Sequence, residues 1–351
     1  MSRDIRRRTF IRSGALAGTA LLAGCVGNGG EGNGSTDDGG DGGGGQDDGG
    51  GDGQQTTSGS SALTAALSVP SLEFTFFARM ENAFNQAKDQ GSIASDSVFY
   101  DAGNSQTTQI SDIENAISSE VDFIMISAIT AEGVINAIQQ ANDADIPVVA
   151  IDRNVAEGET ISYVASDNVQ LGQRSTELCL SFMQDQGDAD SYDVVQLEGT
   201  PGASVTNERG EGFQNAVNDN DSLNRLASQT GEFSTQNALS VMEDFITQYG
   251  DEIDGVFCQN DLMALGAHQA LQNAGMSVPI TGIDGTEAWV ESFSDNEYYG
   301  TLAQLPEDMV SASIERAQAY IDGEDVDDSV VVDGLEVTQE NASDYLDQYF
   351  G

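Results

Sequence analysis

From residue 62 onward, short apolar runs alternate with segments of helical period, and that alternation leaves few folds open. The runs predicted as strands cover residues 62–69, 97–101, 121–127, 146–151, 161–164, 192–197, 253–258, 278–283 and 298–303. Nearly all are apolar on both faces, the pattern of parallel strands covered from both sides. Between them lie stripes at helical spacing, such as Phe77, Met80, Phe84 and Ala87, or Leu239, Met242, Phe245, Ile246 and Tyr249. The expectation is an α/β protein built of open parallel sheets flanked by helices. About 290 residues exceed one such sheet, so two lobes are expected.

Charge narrows the partners. The 351 residues include 59 Asp plus Glu against 12 Lys plus Arg, a net charge of −47. Nucleic acid is excluded as a partner, because phosphate binding draws on clustered Lys and Arg, and so is a basic membrane-binding patch. Three Cys rule out a disulfide scaffold or a multi-Cys zinc module. A single His leaves little for His-dependent metal or triad chemistry, and neither a metal nor a cofactor is expected. Five of the Arg fall within the first 24 residues, and Lys88 is the sole lysine of the chain. Carboxylates hold water and cations strongly whereas Lys stems expose apolar surface, so the remainder has the composition of an extreme halophile. At molar salt its self-repulsion is screened within about 3 Å.

The N-terminus reads as an address. Arg6-Arg7-Arg8-Thr9-Phe10-Ile11-Arg12 resembles the twin-arginine export pattern, and residues 13–24 form a weakly apolar run too short for an ordinary membrane span. It ends Leu22-Ala23-Gly24-Cys25, which resembles a lipobox, so Cys25 is the expected lipid attachment point and residues 1–25 the signal. Residues 26–60 hold sixteen of the forty Gly with almost no large apolar side chain, which allows no core and predicts a flexible tether. Its end-to-end distance would be roughly 35 Å. Residues 37–53 are acidic but lack the ligand spacing and terminal Glu of an EF-hand.

Polar residues recur just after the carboxyl ends of the predicted strands, the edge at which open α/β sheets bind ligands. Asp152 and Arg153 follow one strand, Gln259, Asn260 and Asp261 another, Asp284 a third and Gln304 a fourth. Carboxylate, amide and guanidinium each offer two hydrogen-bonding atoms at a spacing that suits vicinal hydroxyls. That implies a polyol or sugar site.

Longer motifs carry a resemblance. Val148-Val149-Ala150-Ile151-Asp152-Arg153, Ala165-Ser166-Asp167-Asn168-Val169, Asn207-Glu208-Arg209-Gly210-Glu211-Gly212-Phe213, the run Phe257-Cys258-Gln259-Asn260-Asp261-Leu262-Met263, Gly282-Ile283-Asp284-Gly285-Thr286 and Ala303-Gln304-Leu305-Pro306 resemble the ribose-binding branch of the periplasmic sugar-binding proteins. The resemblance implies a type I periplasmic binding fold, with two lobes that each hold a parallel sheet flanked by helices. It also implies capture of a monosaccharide between the lobes and delivery to an ABC-type permease; with the export and lipobox patterns, the expectation is a monomer on the outer face of the membrane, anchored through Cys25.

The resemblance assigns site residues one at a time. Asp152 and Arg153 match an Asp-Arg pair of the first lobe that binds neighbouring hydroxyls, and Arg209 matches the second-lobe Arg that closes over the ring. Asn260, Asp284 and Gln304 match the second lobe's amide, carboxylate and hinge-adjacent amide; Phe76 and Phe77 match an aromatic pair on one ring face, and Phe233 the aromatic opposite. Phe74 stands where ribose binders carry a polar Asn, and Ile283 where they carry Phe, so the ligand need not be ribose. Three hinge crossings are implied, near Ser166-Asp167, Gln304-Leu305 and Val332-Asp333. They divide the chain into a first lobe of residues 61–166 with 305–332 and a second of 167–304 with 333–351.

Several single residues read as structural: His268 within a helix, Cys179 and Cys258 as buried thiols, and Trp289 as packing. Rival functions are a receptor that reports a sugar or furanose-like signal to a sensor, and a surface glycosidase, which would need two carboxylates about 5 to 9 Å apart across one bond. Transcription regulators of lac-repressor type share the fold but place a basic helix-turn-helix before it, where this chain has its signal and tether.

Overall fold

A computed structural model describes residues 62–294 and 296–351. The export signal, Cys25 and the 26–60 tether lie outside the described residues. Strands and helices alternate from the start: β1 (Ala65–Val69), α1 (Thr75–Asp89), β2 (Val98–Asp101), α2 (Gln106–Ser118), β3 (Phe123–Ile126), α3 (Ile135–Asp143), β4 (Val148–Ile151) and β5 (Ser162–Ala165). After α4 (Asn168–Gln186) come β6 (Tyr192–Glu198), α5 (Ser204–Asp219), β7 (Leu223–Thr230), α6 (Thr235–Tyr249), β8 (Gly255–Cys258), α7 (Asp261–Ala274), β9 (Ile280–Asp284), α8 (Glu287–Glu291) and β10 (Tyr299–Ala303). The chain finishes with α9 (Pro306–Ile321), β11 (Ser329–Val331), β12 (Leu335–Thr338) and α10 (Ala342–Tyr349).

Two six-stranded sheets result, in the orders β2-β1-β3-β4-β5-β11 and β7-β6-β8-β9-β10-β12. Every pairing is parallel except β10 with β12. In both, the first strand lies inside and the crossovers run outward in opposite directions, so crevices open at the carboxyl ends of β1 and β3 and of β6 and β8. The chain passes between sheets three times: from β5 to β6, from β10 to β11 and from β11 to β12.

The cause of this architecture is visible in the burial. β1, β3, β4, β8, β9 and β10 are buried along their whole length, so helices must cover both faces. The Phe77, Met80, Phe84 and Ala87 stripe of α1 is buried as its spacing requires. Trp289 is fully buried, its indole N–H donating to the Gly300 carbonyl at 3.1 Å, and it stacks on Tyr299. His268 pairs with the Tyr299 hydroxyl at 2.8 Å. Cys179 and Cys258 are buried and unbridged, and burial raises both thiols.

Candidate functional site

The two sheets present their carboxyl ends to one another, and the loops there meet directly. The Ala131 amide donates to the Gly202 carbonyl at 3.0 Å, and the Asn154 amide to the Ser204 hydroxyl at 2.9 Å. Between these loops lies a small cavity walled by Asp152, Arg153, Arg209, Asn260 and Asp284 and by Phe74, Phe76, Phe77, Val205 and Phe233. It encloses about 20 Å³, room for a water molecule rather than a sugar ring, so a ring-sized ligand enters only when the sheets move apart. A larger surface hollow of about 300 Å³ runs between α1 and α9 and touches none of these polar residues.

Strand ends place the first-lobe pair. Asp152 follows β4, its amide still bonded to the Val164 carbonyl at 2.8 Å, and its Oδ2 accepts from the Ser127 hydroxyl at 3.1 Å. Arg153 is 4% exposed and reaches the Ile129 carbonyl with one amino group at 3.5 Å, while its Nε lies 3.7 Å from Asp152 Oδ2 in an ion pair and makes no hydrogen bond within the protein. Its guanidinium lies over the rings of Phe77 and Phe233, 5.4 and 5.1 Å from their centres. Cation–π contact thus holds the fork without using all its donors. Burial lowers the Arg153 pKa to about 10, and the group stays charged at neutral pH.

The second half is built around Arg209. Its Nε donates to Asn168 Oδ1 at 2.9 Å and an amino group donates to the Gln259 carbonyl at 2.6 Å, with Asp284 Oδ1 3.5 Å from the same amino group. Glycine makes this placement possible: a Cβ at Gly172 on α4 would collide with the backbone of Arg209 on α5. Asn260 caps α7 through Oδ1, which accepts from the Met263 amide at 3.0 Å and leaves its Nδ2 for a ligand. Gln259 is buried and ties loops together, accepting from the Gly199 amide and donating to the Thr206 carbonyl. Phe233 follows β7, and its ring covers Gly199, where any side chain would occupy the same space.

Gln304 is placed differently from the others. It does not line the cavity but stands beside Asp284, donating from Nε2 to Asp284 Oδ1 at 3.0 Å, and its buried Oε1 has no protein partner. Sequence reasoning missed Val205 as a wall residue, and nothing in its spacing distinguishes it from core. Phe74, read as a departure from the ribose pattern, is a wall residue, with its ring centre 6.1 Å from Phe77 and 6.4 Å from Phe233.

Backbone strain concentrates here. Asp152, Phe233 and Asp284 have φ of +60°, +58° and +122°, conformations that non-glycine residues rarely adopt and that collect at binding sites. Chemically the arrangement offers two carboxylates, two guanidinium groups and a free amide against a phenyl-rich wall. Such a set matches the hydroxyls and the C–H faces of a polyol ring.

Electrostatics add a testable consequence. Burial raises Asp284 to about 6, with Asp152 also pushing upward and Arg209 opposing. A carboxyl raised in the folded protein is held protonated more tightly than in the unfolded chain, so its stabilising share is present below about pH 4 and is lost as pH rises through about 6. Asp284→Asn removes this titration. In urea unfolding at constant high salt, wild type should lose stability relative to Asp284→Asn between about pH 4 and 7, and a constant difference would refute the assignment.

Comparison with known proteins places the chain. Residues 65–325 match the family described as periplasmic binding protein domain. The chain is 33% identical over 278 residues to the ribose import binding protein RbsB of Haemophilus influenzae, spanning 79% of this chain and 92% of that protein. Against the Escherichia coli ribose import binding protein the identity is 34% over 271 residues, 77% of this chain and 88% of the other. Among solved structures, the periplasmic binding protein component of the arabinose ABC transporter from Shewanella sp. ANA-3, bound to alpha and beta-L-arabinofuranose, superposes with a TM-score of 0.76 at 27% identity, covering 82% of this chain and 95% of that one. With two parallel-dominated sheets, a shared cleft and these relatives, the chain belongs to the periplasmic binding protein family, as a homologue of ribose import binding proteins.

Proposed function

We propose that the protein captures one monosaccharide between its two lobes and delivers it to an ABC-type permease. Asp152, Arg153, Arg209, Asn260 and Asp284 bond the hydroxyls, Gln304 orients Asp284, and Phe76, Phe77 and Phe233 lie against the ring faces. The observation that carries this reading is the cavity between the facing sheet edges, where buried carboxylates and guanidinium groups oppose a phenyl wall and Arg153 Nε makes no hydrogen bond within the protein. A buried donor without a hydrogen bond is rare, and a hydroxyl of a bound sugar would satisfy this one. Closing the lobes brings both halves of the site onto one sugar, so ligand favours the closed arrangement. The crossings at Ser166-Asp167, at Leu305 and at Val332-Asp333 are the hinge in this reading, with the lobes divided at those points.

Thermal-shift measurement in molar salt against pentoses, hexoses and polyols tests it. A ligand present at about 100 times its dissociation constant should add about 2.7 kcal/mol to stability. No shift with any sugar, or release of reducing sugar from a glycoside, would end the binding-protein reading.

In the same reading the protein works outside the cytoplasmic membrane as a lipid-anchored monomer of a halophile. The order of twin-arginine pattern, lipobox and Gly-rich tether supports it, and no helix among the described residues is long and apolar enough to cross a membrane. Cys25→Ser should release the protein to the medium or leave an uncut precursor; fractionation that finds unchanged attachment and processing overturns the anchor.

A further inference from the structure

Behind the site lies a third carboxylate that does not wall its cavity. Asp261 opens α7 directly after Asn260 and is fully buried. Both of its oxygens are engaged within the second lobe. Oδ2 accepts from the Thr286 amide at 2.7 Å, and Oδ1 accepts from the Thr301 hydroxyl of β10 at 2.7 Å. β9 makes room for the group with Gly282, where a Cβ would overlap Asp261 Oδ1. Burial raises Asp261 well above the ordinary carboxylate range; Asp284 pushes the same way, while the Thr286 amide, the Thr301 hydroxyl and the Gly285 amide oppose.

An apolar side chain would fill this space without the cost of burying a carboxylate. What the carboxylate supplies is an anchor for the turn that follows β9. The Gly285 and Thr286 amides of that turn are directed at the one group, an anion-binding concavity of the kind that turn backbones form. Asp284 and Gly285 have φ of +122° and +73°, and a non-glycine residue keeps such a value only where its surroundings over-determine it. Here Asp261 holds the turn from one side. From another, the Tyr345 hydroxyl donates to the Gly285 carbonyl at 2.7 Å. The side chain this turn carries is Asp284, on the cavity wall and 3.5 Å from an amino group of Arg209.

We propose that Asp261 is a positioning residue of the sugar site: its carboxylate holds the turn after β9 in the left-handed conformation that brings Asp284 to the cavity. It touches no ligand itself and acts through the Thr286 amide and the Thr301 hydroxyl. This inference rests on the sugar-binding reading above and concerns how that site keeps its shape.

The test is a double-mutant cycle by calorimetry on the full chain in molar NaCl. The probe is whichever of D-ribose, L-arabinose, D-allose and myo-inositol binds wild type most tightly. Asp261→Ala leaves the Thr286 amide and the Thr301 hydroxyl without their acceptor and frees the turn, so affinity should fall about tenfold or more. In an Asp284→Ala background there is no carboxylate left to aim, and Asp261→Ala should then change affinity by less than about twofold. Asp261→Asn keeps an acceptor for the Thr286 amide and should restore most of what Ala loses. Melting temperatures recorded alongside separate folding from positioning, since a purely structural Asp261 would lower the melting temperature and leave the affinity of the folded protein as it was. Asp261→Ser, whose single oxygen cannot meet both partners, replaces the Ala variant if that one does not fold. Affinity of the folded Ala or Ser variant within about twofold of wild type overturns the positioning role alone. So does an equal loss in the Asp284→Ala background. Failure of every probe to bind wild type overturns it together with the sugar reading.

Discussion

Arg209→Ala is expected to weaken binding of the native sugar by roughly 2–5 kcal/mol, a factor of about 30 to about 4,000 in dissociation constant. The size follows from what the guanidinium holds. Asn168 Oδ1, the Gln259 carbonyl and Asp284 all face it in a site from which water is largely excluded. Truncation leaves each of them desolvated and unmatched, with the Asp284 carboxylate the most costly. Arg209→Lys should recover only part of the loss, because an ammonium is a point donor and cannot hold three acceptors in a plane. Calorimetry decides it: affinity of Arg209→Ala within about twofold of wild type would show that the ligand is held elsewhere.

The second large effect is expected from salt. Residues 61–351 carry 51 acidic and 7 basic side chains, a net charge of −44. Of those seven, Arg153 and Arg209 are buried at the site, and Arg79, Arg174 and Arg316 are engaged by Glu307, Glu336 and Asp327. Most carboxylates thus have no cation beside them. At 0.01 M salt the screening length is roughly 30 Å, comparable to the domain, so the carboxylates repel one another throughout. Near 1 M it falls to about 3 Å, and the repulsion is confined to direct neighbours. The melting temperature should climb steeply between about 0.05 and 3 M NaCl or KCl, and sugar affinity should vanish at the low end, since separated lobes present only half the site. Circular dichroism that shows a flat melting temperature over that range would remove the halophilic reading of the acidic surface.

The parts of the fold that were legible in sequence are those whose burial leaves a local mark. β3, β4 and β8 are apolar without interruption, and no solvated loop looks like that. β7, β11 and β12 escaped notice for the opposite reason. β7 is an edge strand whose Asn224 and Arg225 point to water, and its register with β6 slips between Val194 and Val195. β11 and β12 are short strands recruited by partners far away in the chain, β5 and β10, with Val331 and Leu335 left exposed. No run of three or four residues announces a partner well over thirty positions distant.

The candidate site divides along the same line. Asp152, Arg153, Asn260 and Asp284 could be singled out because a parallel sheet delivers the residue after each strand to one edge. Val205 could not, since nothing in its helical spacing separates a wall residue from a core residue. Gln304 was found for its position after β10, but only its hydrogen bond shows that it stands beside Asp284 and outside the cavity wall.

The left-handed backbone at Asp152, Phe233 and Asp284 sets which routes are open for retargeting this scaffold to another solute. β-Branched and bulky aliphatic side chains are disfavoured at such φ values, so useful replacements at 152 and 284 narrow to Asn or Gly. Diversity has to enter through residues on ordinary backbone: Phe74 at φ −87°, Asn260 at φ −154° and Thr286 at φ −75°. A directed-evolution library that randomises those three positions while holding 152, 233 and 284 fixed should return more folded variants per clone than one built on Asp152 and Asp284 themselves.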